Sequence, residues 1–128
     1  MPARLISVGK PSGVPACAPS GVRIWAALDR LEFTNPSAAA CELTGYPTVR
    51  TGNAAMTVGR LTSPPAVVTL RRGATAHAVM QVPAGGCQHL AVIAGLRVGL
   101  PGHLATRYVG YPVHGCSVNV GAIQPGRV

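Results

Sequence analysis

Short segments that are apolar or that alternate between apolar and polar residues recur along the chain from Val22 onward, separated by glycine, proline and asparagine. In the first segment Val22, Ile24 and Ala26 share one face of an extended chain, and Trp25 lies on the other. The later segments follow at the spacing that is typical of β-sandwiches and barrels. They cover residues 31–34, 43–49, 54–61, 66–70, 74–82, 90–98, 103–109 and 117–123. We therefore predict an all-β domain of eight or nine short strands.

The turn residues set the architecture that these strands can adopt. Sixteen glycines and twelve prolines interrupt the chain too often for a bundle of long helices. A chain of 128 residues is the size of one domain with a single core. Strands of this number each bury one face when two sheets pack together, so we expect a two-sheet sandwich. Residues 1–16, with three prolines and two glycines, are expected to form an extended arm.

The net charge of +8 reflects a shortage of acidic residues. The chain has three carboxylates, Asp29, Glu32 and Glu42, against eleven lysines and arginines. Apart from Arg71-Arg72 the arginines are scattered singly, unlike the clustered stripe of a duplex-binding face. This pattern argues against specific nucleic-acid binding. Arginine nevertheless suits planar anions, so weak binding to an acidic polymer or an anionic lipid surface is one hypothesis for the function.

The chain has four widely spaced cysteines, Cys17, Cys41, Cys87 and Cys116, and no C-x-x-C motif. Structural zinc sites usually take their ligands in close pairs, so this spacing favours disulfides and an oxidising, extracytoplasmic compartment. Four cysteines allow three connectivities, which the sequence leaves open. No secretory signal is visible in residues 1–16, and no apolar run is long enough to predict a transmembrane helix.

The triplet Gly-Tyr-Pro occurs twice, at residues 45–47 and 110–112, each time close to a cysteine. Glycine permits a turn, and the residue before proline is held in an extended conformation. Tyrosine can cover the edge of a core while its hydroxyl contacts water or a backbone group. The flanking sequences do not match, which argues against a repeat. We predict that both triplets turn the chain at corners of the sheet.

No set of residues in the chain specifies a reaction. Asp29 and Glu32 lie on a strand-turn-strand path and are expected to be solvated, not to form a catalytic acid and base. Nucleophile-elbow and Walker-type motifs are absent from the sequence. Each close cysteine–histidine pair is separated by one residue, which places both side chains on one strand face by alternation alone. These pairs are Cys116 with His114 and Cys87 with His89. We expect a protein that is not an enzyme and has no cofactor.

An extracytoplasmic copper site is an alternative, because histidine and methionine are suitable copper ligands. The candidates are His77, Met80, His89, His103 and His114. His77 and Met80 lie three residues apart, which places them on opposite faces of a strand. Without a His-x-His or Met-x-Met cluster, we expect histidines that lie on the surface or have hydrogen-bond partners within the fold, and methionines that fill the core. A further hypothesis is an anion-contacting surface formed by Tyr46, Tyr108, Tyr111, Arg50 and Arg107.

Four runs of the sequence resemble an actinobacterial family known as domain of unknown function 4232. They are LEFTNPSAAACELTGYPTV, VTLRRGATAHAVMQV, GGCQHLAVIAGLRVGLPG and CSVNVGAI. In that family a strand ending in Thr-Asn precedes a Cys-x-Leu-x-Gly-Tyr-Pro-x-Val segment. A strand with a glycine turn, a Pro-Gly segment and two further cysteines follow it. The matching motif residues here are Asn35, Gly45, Tyr46, Pro47, Gly73, Pro101 and Gly102.

The resemblance implies an exported or lipid-anchored, immunoglobulin-like sandwich over residues 17–124, with residues 125–128 as a tail. We prefer the disulfides Cys17–Cys41 and Cys87–Cys116, because each joins neighbours in sequence and ties one half of the sandwich. Each bridge is expected to stabilise the fold by about 3 kcal/mol. The expected function is a non-catalytic binding or structural module of the cell envelope. Its candidate partners are an envelope protein or an acidic glycan, with peripheral contact to a membrane surface as a further option.

Overall fold

The computed structural model describes residues 13–64, 66–83 and 90–127. These residues form eleven β-strands, one turn of 3-10 helix at Pro19–Gly21 and no α-helix. The strands in chain order are β1 (Arg23–Ala27), β2 (Arg30–Thr34), β3 (Cys41–Thr44), β4 (Thr48–Arg50), β5 (Thr57–Arg60), β6 (Val67–Leu70), β7 (Thr75–Gln81), β8 (Ala91–Gly99), β9 (Arg107–Gly115), β10 (Ser117–Val120) and β11 (Gln124–Pro125). The prediction of an all-β fold is confirmed. Among the described residues, no helix is long and apolar enough to cross a membrane.

The described strands form three hydrogen-bonded sheets. The first has the order β1-β2-β7-β10-β5, with β11 also paired to β7. The second has the order β4-β8-β9, and the third consists of β3 and β6. Strands β5 and β10 run parallel, whereas the other named strands pair in antiparallel fashion.

A single apolar core lies between the sheets. Its largest fully buried side chains include Phe33 of β2, Leu70 of β6, Met80 of β7 and Leu96 of β8, which come from all three sheets. Burying a side chain of this size stabilises a fold by about 1.5–3 kcal/mol, so these positions contribute strongly to the hydrophobic driving force. The strands alternate between inward and outward residues, and this alternation decides which polar side chains remain on the surface.

The first Gly-Tyr-Pro triplet is a corner, as the sequence predicts. It follows β3 and precedes β4, so it carries the chain from the third sheet into the second and divides the strand predicted over residues 43–49. Gly45 has a φ of +102°, which L side chains rarely adopt. The amide of Ile123 donates to the Gly45 carbonyl at 2.8 Å, and this bond ties the corner to the end of the chain.

The second triplet is not a corner, and the prediction for it was wrong. Residues 110–112 lie inside β9, which forms one edge of the second sheet. Two residues of β9, Tyr111 and Pro112, face the single residue Ala94 of β8. This is a β-bulge on an edge strand, where a proline without an N–H group is tolerated. The same three residues therefore turn the chain in one place and bend a strand in the other.

A disulfide between Cys17 and Cys41 fastens the segment before β1 to β3. The amide of Glu42 donates to the Pro15 carbonyl at 2.8 Å, and the amide of Cys17 donates to the Glu42 carbonyl at 2.9 Å. Ala16 and Glu42 accordingly form a short parallel bridge. The disulfide and the two hydrogen bonds thus join the same two short segments. Cys17–Cys41 is one of the two cysteine pairs that we preferred from the sequence.

The second preferred pair is Cys87–Cys116. Cys116, which lies between β9 and β10, is disulfide-bonded. Cys87 lies outside the described residues, as does His89.

Asn35 organises the turns at one end of the first sheet. Its side chain is fully buried. The amide nitrogen Nδ2 donates to the carbonyls of Ala39 at 2.8 Å and Leu70 at 2.9 Å, and Oδ1 accepts from the amide of Ser37 at 2.9 Å. The amide of Gly73, whose φ is +77°, donates to the Asn35 carbonyl at 2.6 Å. A buried amide with these partners joins the end of β2 to the turn between β6 and β7.

The Pro101-Gly102 segment forms the turn after β8. The amide of His103 donates to the Leu100 carbonyl at 3.1 Å, and Gly102 has a φ of +78°. Pro101 also lies next to the first corner, since a Cβ placed on Gly45 would be 3.8 Å from the Cβ of Pro101. These motif residues have structural roles in the turns.

Candidate functional site

Three exposed side chains form a row across the outward face of the second sheet. Residues Arg50 of β4, Arg97 of β8 and Tyr108 of β9 point outward because their neighbours along each strand face the core. Arg50 is the register partner of Arg97, and Arg97 is the partner of Tyr108. Neighbouring strands lie ~4.8 Å apart, so the row extends over ~10 Å. These three residues are named the arginine face.

The two arginines of this face lack a compensating acid. Among the described residues, ion pairs involve Arg30 with Asp29 and Glu32, which belong to the first sheet and its β1–β2 turn. The third carboxylate of the chain, Glu42, belongs to the third sheet. Like charges that lie directly opposite each other on neighbouring strands are destabilising. We therefore expect repulsion between Arg50 and Arg97, which an anion placed between them would relieve.

The ring of Tyr108 packs down onto β8 over Gly95. A Cβ placed on Gly95 would lie 2.5 Å from ring atom Cζ and 2.6 Å from the phenol oxygen of Tyr108, so a side chain here would displace the ring. Tyr108 is 59% exposed. Within the described residues its hydroxyl makes no hydrogen bond. The ring is thus supported by the sheet on one side and open to solvent on the other.

Arg97 is held by a hydrogen bond to the residue that precedes β9. Its Nε donates to the hydroxyl of Thr106 at 3.1 Å, which leaves the terminal amino groups of the guanidinium for a ligand. Arg50 has no hydrogen bond or ion pair to any residue in the described part of the chain. A guanidinium is a planar fork of donors that matches a carboxylate or a phosphate in a bidentate manner. Chemically, the face can bind anionic groups and can pack against a flat apolar ring.

Two of the residues that the sequence suggested for an anion-contacting surface have a different role. Arg107 donates from its guanidinium to the backbone carbonyls of Pro19 and Val22. Tyr111 donates from its hydroxyl to the carbonyl of Leu28 at 2.6 Å. These carbonyls precede and follow β1, so Arg107 and Tyr111 hold β1 against β9. Arg107 and Tyr111 are named the seam, and their polar groups have partners within the fold.

The environment of Tyr111 also affects its acidity. Partial burial disfavours the phenolate and is the larger cause that raises the pKa of Tyr111 above 10.0, with the negative charge of Asp29 as the second cause. The phenol therefore stays protonated, and able to donate to Leu28, over a wider pH range than a free tyrosine.

Tyr46 likewise supports the fold. Its hydroxyl donates to the carbonyl of Leu61 at 2.8 Å. The guanidinium of Arg60 lies over its ring, with Cζ 4.6 Å from the centroid, which is the geometry of a cation–π interaction. Tyr46 thus anchors the first corner to the end of β5, and its hydroxyl is already bonded to the backbone.

Glu32 is buried, whereas the sequence suggested that it is solvated. Its side chain is 4% exposed and accepts a hydrogen bond from Nε of Arg30 at 2.9 Å. This hydrogen bond is the largest of the causes that raise the pKa of Arg30 above its ordinary value. Across the sheet Glu32 pairs with His77, whose Nδ1 lies 2.8 Å from the carbonyl oxygen of Gly126. These polar groups have partners inside the protein, which favours a structural role for them.

The candidate copper ligands in the described residues are dispersed. His77 is buried, with 8% exposure, on one side of β7, and Met80 lies in the core on the other side of the same strand. His103 belongs to the turn after β8, and His114 belongs to β9. Within residues 13–64, 66–83 and 90–127, no group of three or more His, Cys, Asp or Glu residues is placed to hold a metal ion.

Sequence reasoning identified Arg50 and Tyr108 as candidates but missed Arg97. The alternation Leu96-Arg97-Val98 lies in a predicted strand and places the arginine on the outward face. What the sequence does not contain is the register that brings Arg97 between Arg50 and Tyr108. That pairing is long-range, so it follows only from the folded sheet.

The fold and this surface define a small all-β domain with a disulfide and a basic, aromatic outer face. The chain matches the family model described as "Domain of unknown function (DUF4232)" over residues 11–126. It belongs to this family, as the resemblance in its sequence indicated. No curated protein and no solved structure matches the chain.

Proposed function

We propose that this protein is a non-catalytic, exported binding module whose arginine face holds an acidic polymer. The observation that carries the proposal is the direct pairing of Arg50 with Arg97 on an exposed sheet surface. Two facing cations raise the free energy of the unbound protein. An anionic ligand lowers it by placing negative charge between them, so binding and relief of repulsion occur together.

The shape of the face favours a polymer over a small anion. An exposed sheet surface leaves a small anion largely hydrated, so each contact contributes little binding free energy. A polymer that repeats its charge links several such contacts and gains affinity from their high effective concentration. The net charge of +8 adds long-range attraction for any polyanion.

The disulfide supports the extracytoplasmic location in this proposal. A bridge such as Cys17–Cys41 persists in an oxidising compartment and is rare in the reducing cytosol. The intact mass of the protein from its native source, with and without reduction, tests this part. With two disulfides among the four cysteines, the protein is expected to be four hydrogens lighter than its thiol form. A fully reduced protein would contradict an exported module.

Binding measurements on matched variants test the arginine face itself. The double variant Arg50→Gln/Arg97→Gln removes two charges from the face, and Arg71→Gln/Arg72→Gln removes two from the exposed β6–β7 turn. Titrations would use polygalacturonate and polyphosphate at low and physiological salt. We expect about tenfold weaker binding for the face variant and less than about twofold for the turn variant. The affinity of the unchanged protein is expected to fall as salt rises.

Two results would contradict the proposal. Equal weakening by both double variants would show that net charge, and not the arginine face, attracts the polymer. If neither polyanion binds at low salt, the proposed function is wrong.

A further inference from the structure

If the arginine face binds an acidic polymer, as proposed, Tyr108 indicates the chemical class of that polymer. We infer that the polymer is a polysaccharide of uronic acids, with one sugar ring stacked on Tyr108 and the carboxylate of that ring bound by Arg97. The inference rests on the exposed ring, on its support by Gly95 and on the position of the neighbouring guanidinium.

The hydroxyl of Tyr108 has no hydrogen-bond partner in the described part of the chain. The hydroxyls of Tyr46 and Tyr111 each donate to a backbone carbonyl, at 2.8 and 2.6 Å, and so fix parts of the fold. Tyr108 makes no such bond and keeps more than half of its surface in solvent. The C–H groups on one face of a pyranose form a flat apolar surface, and an exposed aromatic ring is a suitable surface to cover it.

Gly95 prepares the ring for stacking. A Cβ at this position would lie within 2.6 Å of the ring tip of Tyr108 and 2.5 Å from the carbonyl oxygen of Val109, whereas glycine lets both approach β8. A ring that already lies on the sheet loses little conformational freedom when a ligand covers it. The pairing of Tyr108 with Gly95 therefore gives a preorganised platform of one aromatic ring.

The position of Arg97 indicates where the ligand carries its charge. Arg97 is the direct register partner of Tyr108, so the Cα atoms of the two residues lie about 5 Å apart on neighbouring strands. Its Nε donates to the hydroxyl of Thr106, which fixes the side chain of Arg97 on the outward face of the sheet. A carboxylate attached to the stacked sugar lies within reach of this group. Arg50, one strand further, is placed to receive the carboxylate of an adjacent sugar.

Single-stranded nucleic acid fits this arrangement less well. Proteins that bind it combine several aromatic rings for successive bases with a groove that follows the phosphates. The arginine face has one aromatic ring, that of Tyr108, among its described residues. A nucleic acid is therefore a competing outcome of the test and not part of the inference.

The experiment titrates the full chain with three uronic polymers, which are polygalacturonate, alginate and hyaluronate, and with polygalacturonate methyl ester. Polyphosphate and oligo-dT supply negative charge without sugar carboxylates. We expect at least one uronic polymer to bind more tightly than polyphosphate, and esterification to weaken polygalacturonate binding about tenfold.

Variants of Tyr108 separate stacking from charge. Tyr108→Phe keeps the ring and is expected to retain uronic-polymer affinity within about twofold. Tyr108→Ala removes the ring and is expected to weaken that affinity about fivefold to tenfold, with polyphosphate affinity unchanged. Tyr108→Leu provides a second ring-free variant if the alanine variant does not fold. Arg97→Gln is expected to weaken the binding of both polymer types.

The outcomes distinguish this inference from the proposed function. If polyphosphate binds as tightly as all three uronic polymers and the ring-free variants bind normally, the sugar inference is overturned while the arginine face remains an acidic-polymer site. If oligo-dT binds most tightly and depends on the Tyr108 ring, the ligand is a nucleic acid and the inference is overturned. If none of these polyanions binds, the proposed function fails as well.

Discussion

The seam and the arginine face contain the same residue types in the same sheet, yet the fold uses them in opposite ways. At the seam, Arg107 and Tyr111 donate to backbone carbonyls on both sides of β1. On the arginine face, Arg97 bonds one side-chain hydroxyl and Tyr108 bonds no described residue. Residue type alone therefore does not identify a ligand site. What distinguishes the two regions is whether the fold itself already satisfies the polar groups.

The seam and the arginine face lie on opposite sides of the sheet because side chains alternate along β9. Arg107 and Tyr108 are consecutive residues of β9, so their side chains leave the sheet on opposite sides. Arg107 is directed towards β1, and Tyr108 lies on the outer surface. A shift of one residue in the register of β9 would exchange the two roles. Single substitutions at the seam and on the arginine face can therefore show whether the two regions differ in their contribution to stability.

The largest expected difference in the free energy of unfolding is between Arg107→Ala and Arg97→Ala. Removing Arg107 leaves the carbonyls of Pro19 and Val22 without their charged donor, so we expect the free energy of unfolding to fall by about 2–4 kcal/mol. Removing the exposed Arg97 is expected to change it by less than about 0.5 kcal/mol. Urea denaturation measures both values. An equal loss in the two variants would show that Arg97 is a structural residue.

The free energies of unfolding of Tyr111→Phe and Tyr108→Phe are expected to differ by less. Tyr111→Phe removes the hydrogen bond to Leu28 and is expected to lower the free energy of unfolding by about 1 kcal/mol. Tyr108→Phe removes a hydroxyl without a partner in the described residues, so we expect a change within about 0.5 kcal/mol. The same denaturation experiment compares them. A larger loss for Tyr108→Phe would place that hydroxyl in an essential contact and would contradict the open face.

A smaller effect tests the repulsion between the two facing arginines. Arg50→Thr removes one charge of the pair and places a residue suited to strands at the same site. We expect the free energy of unfolding to rise by about 0.2–0.5 kcal/mol at low salt and the gain to shrink as salt is added. Denaturation at two salt concentrations measures this. A loss of stability at low salt would mean that Arg50 has a favourable contact.

The smallest expected effect is a pH dependence at the seam. Because the folded pKa of Tyr111 is raised above 10.0, its contribution to stability is complete below that value and is lost as pH rises through the folded pKa. The free energy of unfolding should therefore fall more steeply in the unchanged protein than in Tyr111→Phe as pH rises through and above 10.0. Parallel curves for the two proteins would contradict the role of this phenol.

The sequence predicts much of the fold because local signals determine it. Alternating segments coincide with β1, β2, β6 and β7 to within one or two residues. The first Gly-Tyr-Pro is a recognisable corner since Gly45 needs a positive φ. The second triplet has the same letters, but Gly110 does not adopt a positive φ and Pro112 lies in a bulge. That difference depends on which strand is at the edge of a sheet, and local sequence does not specify it.

The site is less predictable than the fold because it depends on register. Arg50 and Tyr108 lie 58 positions apart in the sequence and are brought together by their pairing through Arg97. Arg107 looks equally suitable in the sequence, and only its contacts with β1 exclude it. Long-range pairing thus decides which arginines are available for a ligand.

Backbone amide chemical shifts test the central claim, that the arginine face is where an acidic polymer binds. The measurement follows the amide resonances of the full chain while a short oligogalacturonate is added. We expect the largest shifts at Arg50, Arg97 and Tyr108 and at their neighbours in β4, β8 and β9. Shifts that are largest at the Arg71-Arg72 turn, or that are equal at every exposed arginine, would contradict it.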